Sequence, residues 1–251
     1  MSLLELKNIS KTYGSKKNKK YTAIKSLSFE VNDGDFIGIM GSSGSGKTTL
    51  LNIIGSIDRQ TSGMVLINGN DISKLSKKQM AQHRRDNIGF IFQDFNLLDS
   101  MTVEENIILP LALSGEKIKA IKEKLDLLAT DLGIKEILGK FPYEISGGEK
   151  QRASACRALI TDPKIILADE PTGNLDTESG KQLLNLLEHI NKKYNTTILM
   201  VTHDVFAASY CHNILFIKDG EIFNQLHSTG NRKEFFESIL NVMSVLGGAD
   251  K

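Results

Sequence analysis

The residues best suited to chemistry form one short run: Gly41, Ser42, Ser43, Gly44, Ser45, Gly46, Lys47, Thr48 and Thr49. Its start fits G-x-x-x-x-G-K-[ST], a phosphate-binding loop. Glycines let the backbone curl so that successive N–H groups face phosphate oxygens. The N-terminus of a following helix adds partial positive charge. Lys47 can reach the β- and γ-phosphates, and the Thr48 hydroxyl can ligate Mg²⁺. The run reads as a site for ATP with Mg²⁺. A Gly/Ser-rich turn can match this pattern by coincidence, but the strand expected before it and the helix expected after it are the context the motif requires.

Further along, the apolar stretch 165–168 ends in Asp169 and Glu170. Asp169 at a strand end can hold Mg²⁺ through water, and Glu170 can act as general base on an attacking water. Two carboxylates at a strand end also suit plain solvation; the phosphate loop elsewhere in the chain favours the chemical roles. Ser146, Gly147, Gly148 and Glu149 form a third candidate. Ser146 is a good helix N-cap, the glycines permit close backbone approach, and the orphan N–H groups of a helix over 149–160 form an anion site. Ser146-x-x-Glu149 is equally an ordinary capping box.

The run Ser146-Gly147-Gly148-Glu149-Lys150-Gln151 resembles the signature of the ATP-binding cassette (ABC) family, Ser-Gly-Gly-Gln at a helix start. The resemblance covers essentially the whole chain. It implies that two cassettes face each other and that the signature of one closes over the ATP held by the other. It also implies roles for residues that would mean little alone. Tyr13 looks like the aromatic that stacks on adenine, although a packing tyrosine at a strand end remains open. Gln93 looks like the glutamine that contacts Mg²⁺ or water and links to a helical subdomain. Asp176, in Gly173-Asn174-Leu175-Asp176, looks like part of the loop that lies across the dimer interface, and it can cap the next helix as well. His203 looks like the switch histidine that touches the γ-phosphate. Glu149 departs from the commoner glutamine, as in many lipoprotein-release-type cassettes, which leaves its role across the interface open.

ISGGEKQR, ADEPTGNLD and MVTHD suit the lipoprotein-release and macrolide-export branch of bacterial cassettes. The stretches 92–98, 208–211 and 235–248 look like the bacitracin-resistance (Bce-type) ATPases, which serve antimicrobial-peptide resistance and sensing. The resemblance implies an ATPase that works as a homodimer on ATP binding, with a membrane permease and a sensor histidine kinase reached through it. Its implied place is cytoplasmic, on the inner face of the membrane through the permease. The alternatives are a lipoprotein-release or macrolide-export system, or a non-transport cassette. Chromosome-type cassettes carry a long coiled coil between loop and signature, whereas no sustained heptads occur here. Ribosome-type cassettes carry two cassettes on one chain. A P-loop regulator or kinase of another fold fits poorly with the signature and His203.

These residues need a scaffold. Apolar runs at 3–9, 27–31, 36–40, 64–67, 88–92, 165–168, 197–201 and 214–217 read as strands, with helical patterns at 47–56, 77–85 and 181–193 among them. The alternation predicts an α/β domain with a largely parallel sheet, here of P-loop NTPase, ABC type. From Asp94 to Ile160 there is little strand character. Thr102–Glu105 and Ser76–Gln79 are capping boxes, and 116–132 is an amphipathic helix ending at Gly133. The expected layout is a core of 1–93 and 161–230 with an antiparallel edge, an inserted helical subdomain at 94–160, and a helical tail at 231–251.

The chain has 251 residues, 40% of them hydrophobic, enough for one large domain. Its 31 Lys+Arg against 30 Asp+Glu give no basic excess, so no nucleic-acid partner is expected. The basic cluster Lys16, Lys17, Lys19 and Lys20 reads as a solvated turn. Cys156 and Cys211 match no metal spacing and suit a reducing compartment, with Cys156 read as buried packing. The N-terminus lacks a signal layout, and no stretch approaches the ~18 apolar residues of a membrane span. The chain is therefore expected to be soluble by itself.

Overall fold

A computed structural model describes residues 2–14 and 20–247. The basic cluster up to residue 19, and the tail beyond Gly247, lie outside the described residues. In chain order the elements begin β1 (Ser2–Tyr13), β2 (Tyr21–Asn32), β3 (Phe36–Met40), α1 (Lys47–Ile54), β4 (Ser62–Ile67), β5 (Asn70–Asp71), α2 (Lys77–Asn87) and β6 (Ile88–Phe92). They continue α3 (Val103–Ser114), α4 (Ile118–Asp131), α5 (Gly147–Leu159), β7 (Ile165–Asp169) and α6 (Thr177–Tyr194). The last are β8 (Thr197–Val201), α7 (Val205–Ala208), β9 (Asn213–Lys218), β10 (Glu221–His227) and α8 (Arg232–Leu246). Backbone contacts divide them into two compact units, the described residues of Met1–Gln82 with Thr197–Lys251, and His83–Thr196.

In the first unit the strands run in the order β5-β4-β1-β2-β10-β9-β3-β8. Every residue of β3 and of β8 is buried, as strands covered on both faces must be. They pair in parallel, Phe36 opposite Ile198 through Ile39 opposite Val201, and β9 flanks β3 in the same direction. β1 instead pairs antiparallel with β2 and β4, and the buried positions of β2 fall mainly on alternate residues such as Leu27, Phe29 and Val31. Each fully buried Leu, Ile or Phe side chain contributes about 1.5–3 kcal/mol.

In the second unit β6 and β7 pair in parallel from Ile88 opposite Ile165 to Phe92 opposite Asp169. The expected capping boxes form. Thr102 Oγ1 accepts from the Glu105 amide at 3.2 Å, and a Glu105 carboxylate oxygen accepts from the Thr102 amide at 2.8 Å. α4 ends at the expected place, with Gly133 at φ +64° just beyond it. Asp131, its last residue, accepts from Lys193 Nζ at 2.5 Å and from the Tyr194 hydroxyl at 2.9 Å, which ties α4 to α6. The region 94–160 falls within this unit together with β6, β7 and α6.

The α/β alternation is as the sequence predicts; the boundaries differ. β1 and β2 run well past their apolar stretches, to Tyr13 and back to Tyr21, because the ladder between them continues through polar Thr12 and Thr22. β10 has no buried residue to announce it and is held by its register on β9. α5 opens at Gly147 rather than at residue 149, since Ser146 is its N-cap.

Candidate nucleotide-binding site

In the first unit, β3 delivers the chain to the phosphate loop. Gly41 has φ +153°, and a Cβ there would lie 2.2 Å from the Ile217 carbonyl oxygen. Gly46 has φ +103°, and a Cβ there would meet the Ala23 carbonyl oxygen at 2.5 Å. Only glycine allows the loop to pass that closely between neighbouring strands. Gly46 also stands at the N-cap of α1 with no side-chain cap, so the helix start keeps its partial positive charge unsatisfied by a side chain. Lys47 is buried and its Nζ donates to the carbonyls of Gly41 at 2.8 Å and Ser42 at 2.9 Å, arching back across the loop. Ser45 Oγ is buried and has no hydrogen-bond partner among the described residues. Ser42, Ser43, Gly44 and Thr48 are exposed and Thr49 is half-buried. The Tyr21 hydroxyl donates to the Gly44 carbonyl at 3.0 Å. A curled backbone, an uncapped helix start, a lysine folded over them and an orphan buried hydroxyl together fit a polyphosphate.

His203 follows β8, the parallel neighbour of β3. Ile39 pairs with Val201, so His203 leaves its strand at the same C-terminal edge as Gly41. It is exposed, and the next residue, Asp204, caps α7 by accepting from the amides of Phe206 and Ala207. Tyr13 ends β1 and is 40% exposed. Its hydroxyl donates to Asp58 Oδ2 at 2.7 Å.

The second unit carries the remaining candidates. The β6–β7 register sets Phe92 opposite Asp169, so Gln93 and Glu170 are the next residues out of paired strand ends. Glu170 sits at φ +44°, a left-handed conformation that costs a non-glycine residue about 1–3 kcal/mol and recurs at functional sites. Gln93 Nε2 donates to Asn174 Oδ1 at 3.3 Å, and Asn174 Nδ2 donates back to the Gln93 carbonyl at 3.2 Å. A Cβ at Gly173 would lie 2.8 Å from Gln93 Nε2, so a side chain there would push the Gln93 amide out of this position. Asp176 caps α6, its Oδ1 accepting from the amides of Glu178 at 3.1 Å and Ser179 at 3.0 Å.

Ser146 and Glu149 make the capping box. Ser146 Oγ accepts from the Glu149 amide at 3.3 Å, while Glu149 Oε2 accepts from the Ser146 amide and hydroxyl, each at 2.8 Å. The Ser146 amide, then its hydroxyl, hold the Glu149 carboxyl below its usual range against a smaller effect of burial. Ser146 and Gly147 are exposed. A Cβ at Gly148 would meet Ser179 Oγ at 3.2 Å, which places the signature against the start of α6.

Sequence reasoning passed over Gln151. It is fully buried on α5 among Ala153, Ala155 and Cys156, and its Nε2 donates to the carbonyls of Phe92 at 3.3 Å and Pro171 at 2.8 Å. One amide thus braces the residues beside both Gln93 and Glu170. The available signal is a polar residue on the apolar stripe of a helix. Cys156 is buried packing as expected, and burial pushes its thiol up to about 12, so it is inert.

A family model described as "ABC transporter" matches residues 24–173. The chain is 52% identical to the bacitracin export ATP-binding protein BceA of Halalkalibacterium halodurans, over 99% of this chain and 98% of that one. The chain belongs to the ABC transporter family. This cassette is also 51% identical to the ABC transporter ATP-binding protein YxdL of Bacillus subtilis, over 98% of this chain and 95% of that one. Among solved structures it is similar to the dimeric post-hydrolysis state of the ATP-binding cassette MJ0796 bound to ADP and Pi. There the TM-score is 0.81 at 36% identity, covering 89% of this chain and 98% of that one. The cassette is accordingly an α/β P-loop ATPase, the nucleotide-binding, ATP-hydrolysing subunit of a transporter. Among the described residues no helix is long and apolar enough to cross a membrane.

Proposed function

We propose that two copies of this cassette clamp ATP with Mg²⁺ between them and that hydrolysis drives a separate membrane permease handling a bacitracin-like antimicrobial peptide. One observation carries the pairing: α5 starts at a glycine-rich cap, Ser146-Gly147-Gly148, whose first two residues are exposed, and a helix start of this kind can receive an anion as that of α1 can. The dimeric state of a similar cassette with ADP and Pi supports the same reading. The peptide substrate rests on the relative named for bacitracin export. Attachment to the inner face of the membrane follows from the permease, and a sensor kinase reached through that permease completes the proposed assembly.

In this reading the loop from Gly41 to Thr49 grips the phosphates, Lys47 neutralises their charge and Tyr13 stacks on the base. His203 donates toward the γ-phosphate. Ser146, Gly147, Gly148, Glu149 and Asp176 act from the other copy. Thr48, Gln93 and Asp169 offer hydroxyl, amide and carboxylate oxygens, the donor set a hard cation prefers. Bound there, Mg²⁺ would neutralise charge on the β- and γ-phosphates. Among the described residues no group of three or more His, Cys, Asp or Glu is placed to hold a metal ion. Glu170 takes the proton of the water that attacks the γ-phosphorus as the bond to the β-phosphate oxygen breaks. Tighter binding of ATP to the closed pair than to the open one supplies the work.

Deleting the gene and challenging the cells tests the transport reading. Raised sensitivity to bacitracin, restored by the wild-type chain but not by Lys47→Ala, is the expected result. Unchanged bacitracin sensitivity with raised macrolide sensitivity would replace the peptide with a macrolide. Purified Lys47→Ala should bind ATP at least ~10-fold more weakly, the loss expected when a charged hydrogen-bond partner is removed.

A further inference from the structure

Tyr13 is held from two sides by groups outside every motif. Lys11 lies two residues back on the same strand and therefore on the same face. Its Nζ sits 4.6 Å from the centre of the Tyr13 ring, a cation–π distance. The same ammonium donates to Asp58 Oδ1 and to the Arg59 carbonyl, each at 2.6 Å. The other oxygen of Asp58 accepts the Tyr13 hydroxyl at 2.7 Å. One carboxylate thus bridges the cation over the ring and the hydroxyl at its edge. Asp58 is itself fixed, its Oδ1 accepting from the Arg59 amide at 2.7 Å and its own amide donating to the Asn52 carbonyl at 3.1 Å. Asn52 belongs to α1, whose first turn follows the phosphate loop, so α1 spans from the phosphate grip to the support of the aromatic ring.

The ionisation states agree with that geometry. Burial, then the bond to Asp58, raises the Tyr13 phenol, so it remains the donor at neutral pH. Burial works to raise Asp58 as well, but the bonds from Lys11, Tyr13 and the Arg59 amide outweigh it and leave the carboxyl below its usual range.

We propose that Asp58 and Lys11 are positioning residues for the nucleotide base: Asp58 fixes the edge of the Tyr13 ring, Lys11 occupies one of its faces, and the base stacks on the other. This rests on the reading of Tyr13 as the base-stacking residue. A ring already immobilised loses no rotamer freedom when the base arrives, which is where the affinity comes from. Stacking that depends on a held ring tolerates any purine face.

The test measures affinity for ATP and for inorganic tripolyphosphate, which fills the phosphate loop but has no base. The proteins are wild type, Asp58→Ala, Lys11→Met, Tyr13→Leu and the doubles with Tyr13→Leu. Asp58→Ala and Lys11→Met should each weaken ATP about 3- to 10-fold, visible in KM rather than kcat, with tripolyphosphate binding unchanged. Neither should weaken ATP further once Tyr13→Leu is present. Equal losses for ATP and tripolyphosphate would show a merely structural role and overturn the proposal. So would unchanged ATP affinity in Asp58→Ala and Lys11→Met beside a loss in Tyr13→Leu, which leaves the stacking role of Tyr13 standing. Unchanged ATP affinity in Tyr13→Leu would remove the stacking reading itself.

Discussion

Glu149 places a full negative charge in the first turn of α5, where the amide of a glutamine could accept the same two hydrogen bonds. The charge favours the helix start and opposes an incoming phosphate. Its folded pKa is depressed, so its stabilisation is complete above the ordinary glutamate range and is lost as the pH falls through the depressed value. Glu149→Gln should therefore cost about 0.3–1 kcal/mol at neutral pH. The difference from wild type should close as the pH drops through the carboxylate range, read as urea midpoints at several pH values. A difference that stays constant down to acid pH would mean that the charge plays no part. At this scale the motif residues are legible, because the chemistry of Lys47, Glu170 or Ser146 depends on its immediate sequence neighbours. Asp58 and Gln151 are not, because the side chains that bond Asp58 lie 45 and 47 residues away and the carbonyls that bond Gln151 lie 59 and 20 away. Spacing holds no trace of such bonds.

Elements carry the site by bringing chain segments closer than most side chains allow. β6 passes α5 at Gly89, where a Cβ would stand 2.5 Å from the Ala158 carbonyl oxygen. The obstacle is backbone, so strand or helix must shift. Gly89→Ala should cost about 1–3 kcal/mol, seen as a lower denaturant midpoint with an unchanged slope. An unchanged midpoint would show that β6 and α5 separate easily. Because β6 leads straight into Gln93 and α5 starts at the signature, turnover should fall with stability. Capping boxes and buried strands are legible from the sequence: Thr102–Glu105 and Ser146–Glu149 form as their spacing predicts, and β3, β7 and β8 lie where the apolar runs are. β10 is not legible, since none of its side chains is buried and its place is set by hydrogen bonds to β9. The ends of β1 and β2 escape for the same reason, as Thr12 pairs with Thr22 and Tyr13 with Tyr21 through backbone register.

Across the whole molecule the candidates divide between the two units. The phosphate loop, Tyr13 and His203 belong to one, and Gln93, Ser146–Glu149, Asp169, Glu170 and Asp176 belong to the other. The alternation of strands and helices makes the α/β class legible, while this partition depends on contacts between residues far apart in sequence. The central claim is that ATP is hydrolysed between two copies, each signature serving the other's phosphate loop. Glu170→Gln should keep ATP binding and lose turnover by about 10²–10⁴-fold, the usual contribution of a general base. With hydrolysis blocked, the closed pair should accumulate. The most direct measurement is the solution mass of Glu170→Gln with and without ATP, repeated with Ser146→Arg added. The account predicts a doubled mass with ATP, a single chain without it, and a single chain that still binds ATP when Ser146→Arg is present. A single chain at saturating ATP, or a pair that forms equally well with Ser146→Arg, would contradict it.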